Sequence, residues 1–259
     1  MPSKGSRVVA AILLLAFLAV LAFYFFGTPR RHPKIVQVHR VNPSFYQGLA
    51  REKGWWFFSD RDAIYKVRGF NVVVAALKPA IPGYLAEKGY DHIGDIDAAG
   101  GVIYAPLEDR WYTAPLLAMY SAEDLRFIGV VGPLPQSHMP WVAVDLKKGV
   151  FYSSEFDNVD RIYVYSLNGS KLGEIKLSMV LQRIQGGAVR GDKLYLSTDD
   201  GGDWVYVVDL STGKVSRLVK FESPYEGEGI ELWEEQLYFL VGTPREQENI
   251  LVVIELGED

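Results

Sequence analysis

The 259-residue sequence predicts an all-β fold, namely a five-bladed β-propeller closed by an N-terminal strand and preceded by one N-terminal transmembrane helix. Three observations predict this architecture. After residue 33, short runs rich in Val, Ile, Tyr and Phe alternate with Gly, Asp and Asn, and hardly any segment shows helical periodicity. One motif recurs five times along this region, and an uncharged apolar segment occupies the N-terminus.

Residues 8–26 form the apolar segment, which follows Lys4 and Arg7 and is followed by the basic stretch "RRHPK". At about 1.5 Å of rise per residue, such a helix just spans a hydrocarbon core of about 30 Å. A signal peptide cleaved after Ala22 is the alternative, but the apolar run continues beyond that point. We therefore expect a single-pass anchor in the cell membrane within residues 1–33, with a propeller domain of residues 34–259 on the extracytoplasmic side.

The repeated motif begins with a polar residue, a glycine or proline and a short alternating strand, and continues through a turn into an aromatic strand. The copies are "YQGLAREKGWWFFSD" from Tyr46, "HIGDIDAAGGVIYAPLED" from His92, "HMPWVAVDLKKGVFYSSE" from His138, "IQGGAVRGDKLYLSTD" from Ile184 and "EGEGIELWEEQLYFLVG" from Glu226. A third strand follows each copy, at a spacing of about 43 to 53 residues that is typical of four-stranded propeller blades.

A fourth strand follows the first four copies but not the fifth, because the chain stops there. One surplus strand, "KIVQVHRV" at residues 34–41, precedes the first copy. Pairing this strand with the last blade would close the ring and remove two exposed sheet edges. The alternative is a six-bladed ring in which "FNVVVAALKPAIPGYLAEKGY" contributes an extra blade.

The polar residue that begins each copy is expected to face the central channel, since the first strand of a blade lines it. The five positions hold Gln47, His92, His138, Gln185 and either Glu226 or Glu228. Two imidazoles and a carboxylate suit one divalent transition metal, with His92, His138 and Glu228 as ligands and Glu228 as the alternative catalytic base. Gln47 and Gln185 are candidate ligand-binding residues. A wet channel lining without any ligand is the structural alternative.

Other polar and aromatic residues are weaker candidates. Asp91 and Asp95 flank His92 and leave an oxygen-rich calcium site at the channel mouth open. Trp111 and Tyr112, in the insertion "PLEDRWYTAPL", are candidate exposed contacts for a ligand or partner. Acidic residues after the second strands could rim one face or accept hydrogen bonds from loop amides; they are Asp60, Glu108, Glu155 and Asp199 or Asp200.

The repeats resemble blades of the broad superfamily of NHL-like, gluconolactonase-like and quinoprotein-like propellers, which carries no single function. The motifs "FYQGL" at Phe45 and "GEGIEL" at Gly227 are also similar to motifs of plant-type glutaminyl cyclases, which are five-bladed propellers. That resemblance implies a catalytic role for Glu228. In those enzymes, however, the second motif lies in the next blade, whereas here it comes about 180 residues later.

Composition excludes several classes of function. A net charge of −5 with mixed signs along the chain argues against nucleic acid as a partner, and the absence of cysteine excludes thiolate sites. There is no Gly-x-Ser-x-Gly motif and no phosphate-binding glycine loop. The sequence thus predicts a propeller that binds a small molecule or an envelope protein at its channel mouth. A metal-dependent hydrolase or lactonase, or a glutaminyl-cyclase-like enzyme, is the alternative.

Overall fold

A computed structural model describes residues 32–221, 225–243 and 248–257, and residues Lys34–Glu255 form one compact unit. Within it the described chain is built of β-strands and one short helix, α1 (Gly83–Ala86). The strands are β1 (Lys34–Val41), β2 (Gly48–Glu52), β3 (Trp55–Asp60), β4 (Ala63–Arg68), β5 (Val72–Leu77), β6 (Tyr90–Ile93), β7 (Asp97–Ala99), β8 (Val102–Asp109), β9 (Leu116–Ser121), β10 (Phe127–Val131), β11 (Ala143–Asp145), β12 (Val150–Ser153), β13 (Val159–Ser166), β14 (Lys171–Leu181), β15 (Ile184–Arg190), β16 (Lys193–Thr198), β17 (Trp204–Asp209), β18 (Val215–Lys220), β19 (Glu226–Trp233), β20 (Gln236–Thr243) and β21 (Glu248–Glu255).

These strands form five antiparallel sheets, numbered here in chain order. Sheet 1 contains β2 to β5, sheet 2 contains β6 to β10, sheet 3 contains β11 to β14, and sheet 4 contains β15 to β18. Sheet 5 has the order β1, β21, β20 and β19, so its outermost strand comes from the beginning of the described chain. The register of that pairing runs from Lys34 opposite Glu255 to Val41 opposite Asn249.

The innermost strands are buried and the outermost strands are exposed. In sheet 1, for example, β3 is almost entirely buried, whereas all six residues of β5 are at least partly exposed and Val72 is 59% exposed. Apolar layers join neighbouring sheets: Phe45 and Phe58 of the first repeat stack at 4.2 Å beside Tyr238 of sheet 5. Each fully buried side chain of this size contributes about 1.5–3 kcal/mol to folding.

One carboxylate occupies the centre of the ring of sheets. Asp95, between β6 and β7 of sheet 2, accepts hydrogen bonds from the backbone N–H groups of Leu49, Gly187 and Ile230 at 3.0, 3.1 and 3.3 Å. Its own N–H donates to the carbonyl of Pro140 at 2.8 Å. Asp95 therefore touches the inner segments of all five sheets, and it is fully buried.

The strands agree with the predicted repeats. The predicted third and fourth strands are found in place, and the segment of the six-bladed alternative forms β5 and α1 instead of another blade. The predicted apolar segment, residues 8–26, lies outside the described residues. Among the residues that are described, no helix has the length and apolar character to cross a membrane.

Candidate functional site

A cavity of about 350 Å³ opens at one end of the central axis. We call it the mouth cavity. All six candidate residues for the five ring positions line it, together with further polar and aromatic side chains; the lining residues are Tyr46, Gln47, Arg61, His92, Gly94, Asp95, Tyr112, His138, Pro140, Phe156, Gln185, Glu226 and Glu228. The five repeats thus bring their first polar residues together, as expected from the position of the inner strands.

A buried glutamate holds the two histidines. Glu108, at the end of β8, is fully buried, and its carboxylate contacts both imidazoles: Oε2 lies 3.0 Å from Nδ1 of His92, and Oε1 lies 3.1 Å from Nε2 of His138. The backbone N–H of Met139 also donates to Oε1 at 2.6 Å. The other ring nitrogen of His92 contacts the side-chain oxygen of Gln47. Both rings are therefore fixed in orientation.

The hydrogen bonds around Glu108 determine its charge. Burial alone would raise the pKa of this carboxyl, but the hydrogen bonds and charges of His138 and His92 outweigh burial, and the net result is a pKa below the usual glutamate value. Glu108 is accordingly a carboxylate at neutral pH. An ionised acid with one imidazole on each oxygen can position both rings for a ligand.

Aromatic rings enclose His138. The centroid of the Tyr112 ring lies 4.3 Å from that of the His138 ring, and the centroid of the Phe156 ring lies 5.1 Å from it. Tyr112 is held in a tight loop because Asp109, which is 4% exposed, accepts hydrogen bonds from the backbone N–H groups of Trp111, Thr113 and Ala114. The loop residue Tyr112 has a φ of 52°, which that network stabilises.

A second polar group lies where sheets 1 and 5 meet. The hydroxyl of Tyr46 donates to Oε2 of Glu226 at 2.8 Å, and Glu228 beside it is 2% exposed. Burial, together with the charges of Glu226, Asp199 and Asp95, raises the pKa of Glu228 well above its usual value, while a hydrogen bond with Tyr46 lowers it. Burial and the two glutamates likewise raise the pKa of Tyr46.

The carboxylate that contacts both histidines is therefore that of Glu108, whereas the sequence motif predicted Glu228. Among the described residues, no group of three or more His, Asp or Glu side chains is arranged to hold a metal ion. Metal binding by His92, His138 and Glu228, and catalysis by Glu228, stay predictions. Asp95 was predicted as a candidate calcium ligand, but its carboxylate oxygens accept hydrogen bonds from backbone N–H groups.

The remaining candidates divide between rim and loop roles. Trp111 is 65% exposed and does not line the mouth cavity, unlike its neighbour Tyr112. Glu155 accepts hydrogen bonds from the N–H groups of Ser137 and His138 at 3.1 and 2.7 Å, the loop role considered for these acids. Asp199 pairs with Arg183, whose Nε lies 2.9 Å from it.

Comparisons with known proteins show the fold. No family model matches the sequence, and no curated protein sequence matches it. Among solved structures, a luciferin-regenerating enzyme superposes with a TM-score of 0.52 at 13% identity, covering 82% of this chain and 76% of that one. BamB from Moraxella catarrhalis gives a TM-score of 0.41 at 12% identity, covering 81% of this chain and 59% of that one. The chain is a five-bladed β-propeller. Identities this low show a shared architecture and no shared activity.

Several residues of the propeller site escaped sequence reasoning. Tyr46, Arg61 and Phe156 line the cavity beside the predicted ring. Tyr46 precedes the ring residue Gln47, and Phe156 follows the candidate acid Glu155, so adjacency to a candidate residue was a usable signal. Glu108 was predicted only as an acid with a rim or loop role, because its contact with His92 arises from the cross-strand register of β6 and β8.

Another, smaller cavity of about 210 Å³ is lined by residues that follow the ring positions along the inner strands. Its lining includes the carboxyls of Asp97 and Glu231 and the side chain of Arg51. Burial raises the pKa of Asp97 to about 6, and Glu52 adds to the shift, while the N–H groups of Val144 and Ala98 oppose it.

Proposed function

We propose that this propeller binds a small polar ligand in the mouth cavity. The observation that carries the proposal is the convergence of the first polar residue of every repeat on one cavity of about 350 Å³. That volume falls at the lower end of the range of small-molecule pockets, about 300–1,000 Å³. The imidazoles held by Glu108 support the proposal, because oriented polar groups beside aromatic walls are typical of ligand sites.

A binding screen with matched variants tests the proposal. A library of small polar metabolites is screened by thermal shift against the wild-type protein and Tyr112→Ala, which removes a wall of the cavity. Trp111→Ala is the control, since this residue is adjacent in sequence but lies outside the cavity. We expect ligands that stabilise the wild type and Trp111→Ala alike and lose at least about tenfold in affinity for Tyr112→Ala.

Two outcomes would overturn the proposal. A library without any compound that stabilises the wild-type protein would leave the cavity without a ligand role. Compounds that stabilise Tyr112→Ala and the wild type equally would bind elsewhere on the propeller.

Hydrolysis of a small substrate in the same cavity is a second candidate function. The two imidazoles fixed by Glu108 favour it, because imidazole is the commonest general acid–base group in enzymes. A panel of lactones and esters tests it: turnover should fall by about 10²-fold or more in His138→Gln and persist in Trp111→Ala. Repeating the assay with a chelator tests whether turnover needs a divalent cation. Equal turnover in both variants would refute a role for the site.

We also propose that residues 8–26 anchor the propeller in the cell membrane, with the domain on the extracytoplasmic side. The support is the length of the apolar segment and the absence of charge within it. Alkaline carbonate extraction of membranes tests this, and full-length protein that is released into the supernatant would contradict it.

We further propose that the rim of the propeller binds an envelope protein. The exposed indole of Trp111, with the Arg110 guanidinium 5.3 Å from its ring, is the feature that supports docking there. Cross-linking in intact membranes should capture a partner with the wild type and lose it with Trp111→Ala. Unchanged cross-linking in that variant would move the docking surface away from this loop.

A further inference from the structure

The charges on the walls of the mouth cavity are unevenly balanced. Three acidic side chains line it, Asp95, Glu226 and Glu228, against one arginine, Arg61. The histidines do not change this balance, because the carboxylate of Glu108 lies directly behind both rings. Asp95 is fully buried with its oxygens bound to backbone N–H groups, so the exposed carboxylate that a ligand meets is Glu226, with the buried Glu228 beside it.

Two of these acids lie side by side around one hydroxyl. Glu226 is exposed to the cavity and accepts the hydroxyl of Tyr46 at 2.8 Å, while Glu228 is 2% exposed and interacts with the same hydroxyl. Arg183 is bound to Asp199 through Nε at 2.9 Å. Its charge also acts on Glu226, whose carboxylate nevertheless stays exposed to the cavity.

The aromatic walls are the second feature. The rings of Tyr46, Tyr112 and Phe156 line the cavity that contains these acids. Aromatic faces attract ammonium and guanidinium groups by about 0.5–2 kcal/mol each, and they also cover the carbon chain of an organic cation. A bare metal ion would gain little from such walls. No group of three or more His, Asp or Glu in the described part of the chain is arranged to hold one.

We propose that the mouth cavity selects small organic cations, with a primary ammonium or guanidinium group held between Glu226 and Glu228 and the carbon chain against the aromatic walls. This inference rests on the proposed function, because it names the chemical class of the ligand for the same cavity. The size of the cavity suits a chain of a few carbons that carries such groups at its ends.

Calorimetric titration of the purified protein with three probes of similar length tests the inference. The probes are agmatine as the cation, 1,5-pentanediol as the neutral analogue and glutarate as the anion. We expect agmatine to bind at least about tenfold more tightly than the other two, and the affinity to fall as salt is added. Glu226→Gln and Glu228→Gln should each weaken agmatine binding by about tenfold or more.

Controls separate charge from folding. Glu87→Gln removes an exposed carboxylate outside the cavity and should leave agmatine binding unchanged. Because Glu228 is buried, its variant could lose stability, and the exposed Glu226 provides a substitution that the fold tolerates. Equal losses in Glu87→Gln and Glu226→Gln would overturn the inference, since the acid corner would then have no particular role.

The failure of this inference is distinguishable from failure of the cavity proposal. Binding of glutarate or 1,5-pentanediol as tight as that of agmatine, if lost in Tyr112→Ala, would overturn cation selection and keep the cavity as the ligand site. If none of the three probes binds while the library screen yields a ligand that needs Tyr112, the inference also falls alone. Only a screen without ligands removes both.

Discussion

At the residue scale, Asp95 supplies the physical reason for the glycine that follows the polar residue in three of the five inner strands. A Cβ atom added to Gly48, Gly186 or Gly229 would lie 2.4, 2.7 or 2.3 Å from an atom of Asp95. Real Cβ atoms do not approach that closely, so only glycine leaves room for the central carboxylate. The glycine shared by these three repeats thus reflects close packing at the axis and needs no catalytic explanation.

A single methyl group tests this packing. Gly229→Ala should lower the free energy of unfolding by about 1–3 kcal/mol, because its Cβ would meet Oδ1 of Asp95 and the backbone of Gly48 at 2.6 Å. Gly129→Ala is the control, since no atom lies within 4 Å of its added Cβ. Urea titration of both variants measures the difference, and equal stabilities would refute the crowded axis.

The ring positions could be predicted from the sequence because they occupy one place in a repeat, and a repeat places equivalent residues around one axis. Glu108 could not be predicted in this way. Glu155, which follows the second strand of its repeat, accepts hydrogen bonds from N–H groups of a loop. The carboxylate of Glu108, in contrast, contacts two imidazoles. Only the three-dimensional packing of neighbouring sheets separates these two roles.

At the element scale, the strands were predictable because alternation, turns and spacing agreed with one another in every copy. The inner strand of sheet 2 is the exception. "HIGDIDAAGG" suggested one strand, but β6 and β7 are separate pieces that both pair with β8. The interruption is the segment in which Asp95 leaves the ladder and bonds to backbone groups of other sheets.

The strand β1 offers a test at the same scale. Removing residues 1–41 would leave the edge of β21 without its partner and should lower the midpoint of thermal unfolding by several degrees and promote aggregation. The segment just beyond β1 remains in this variant, and there the side-chain amide of Asn249 donates to the carbonyls of Pro43 and Phe45 at 2.8 Å each. A variant that lacks residues 1–33 alone is the control. Equal unfolding midpoints for the two truncations would contradict a structural role for β1.

At the scale of the whole molecule, the central axis buries several carboxyl groups, and stability should therefore depend on pH. The pKa of Asp97 is raised to about 6 from 3.8, first by burial and then by Glu52, and burial and Asp97 also raise the pKa of Glu231. Between about pH 4 and pH 6 the folded protein keeps a proton on Asp97 that the unfolded chain releases. This group consequently makes the free energy of unfolding fall as the pH rises through that window.

Comparing the wild type with Asp97→Asn isolates the contribution of Asp97. Groups with a lowered pKa, such as Glu108, change stability with pH in the opposite direction. Denaturant titrations of the wild type and Asp97→Asn at pH 4 to 7 should show the wild type losing stability relative to the variant with rising pH, by at most about 3 kcal/mol. Parallel stability curves would show that the Asp97 carboxyl titrates alike in the folded and unfolded chains.

The claim that the mouth cavity is the ligand site is tested most directly by crystallography of the protein soaked with small polar fragments. The account predicts that fragments occupy the space between Tyr46, Tyr112, His138 and Glu228, with amines against the glutamate. Fragments that bind only at other surfaces of the propeller, with the mouth cavity holding none of them, would contradict it.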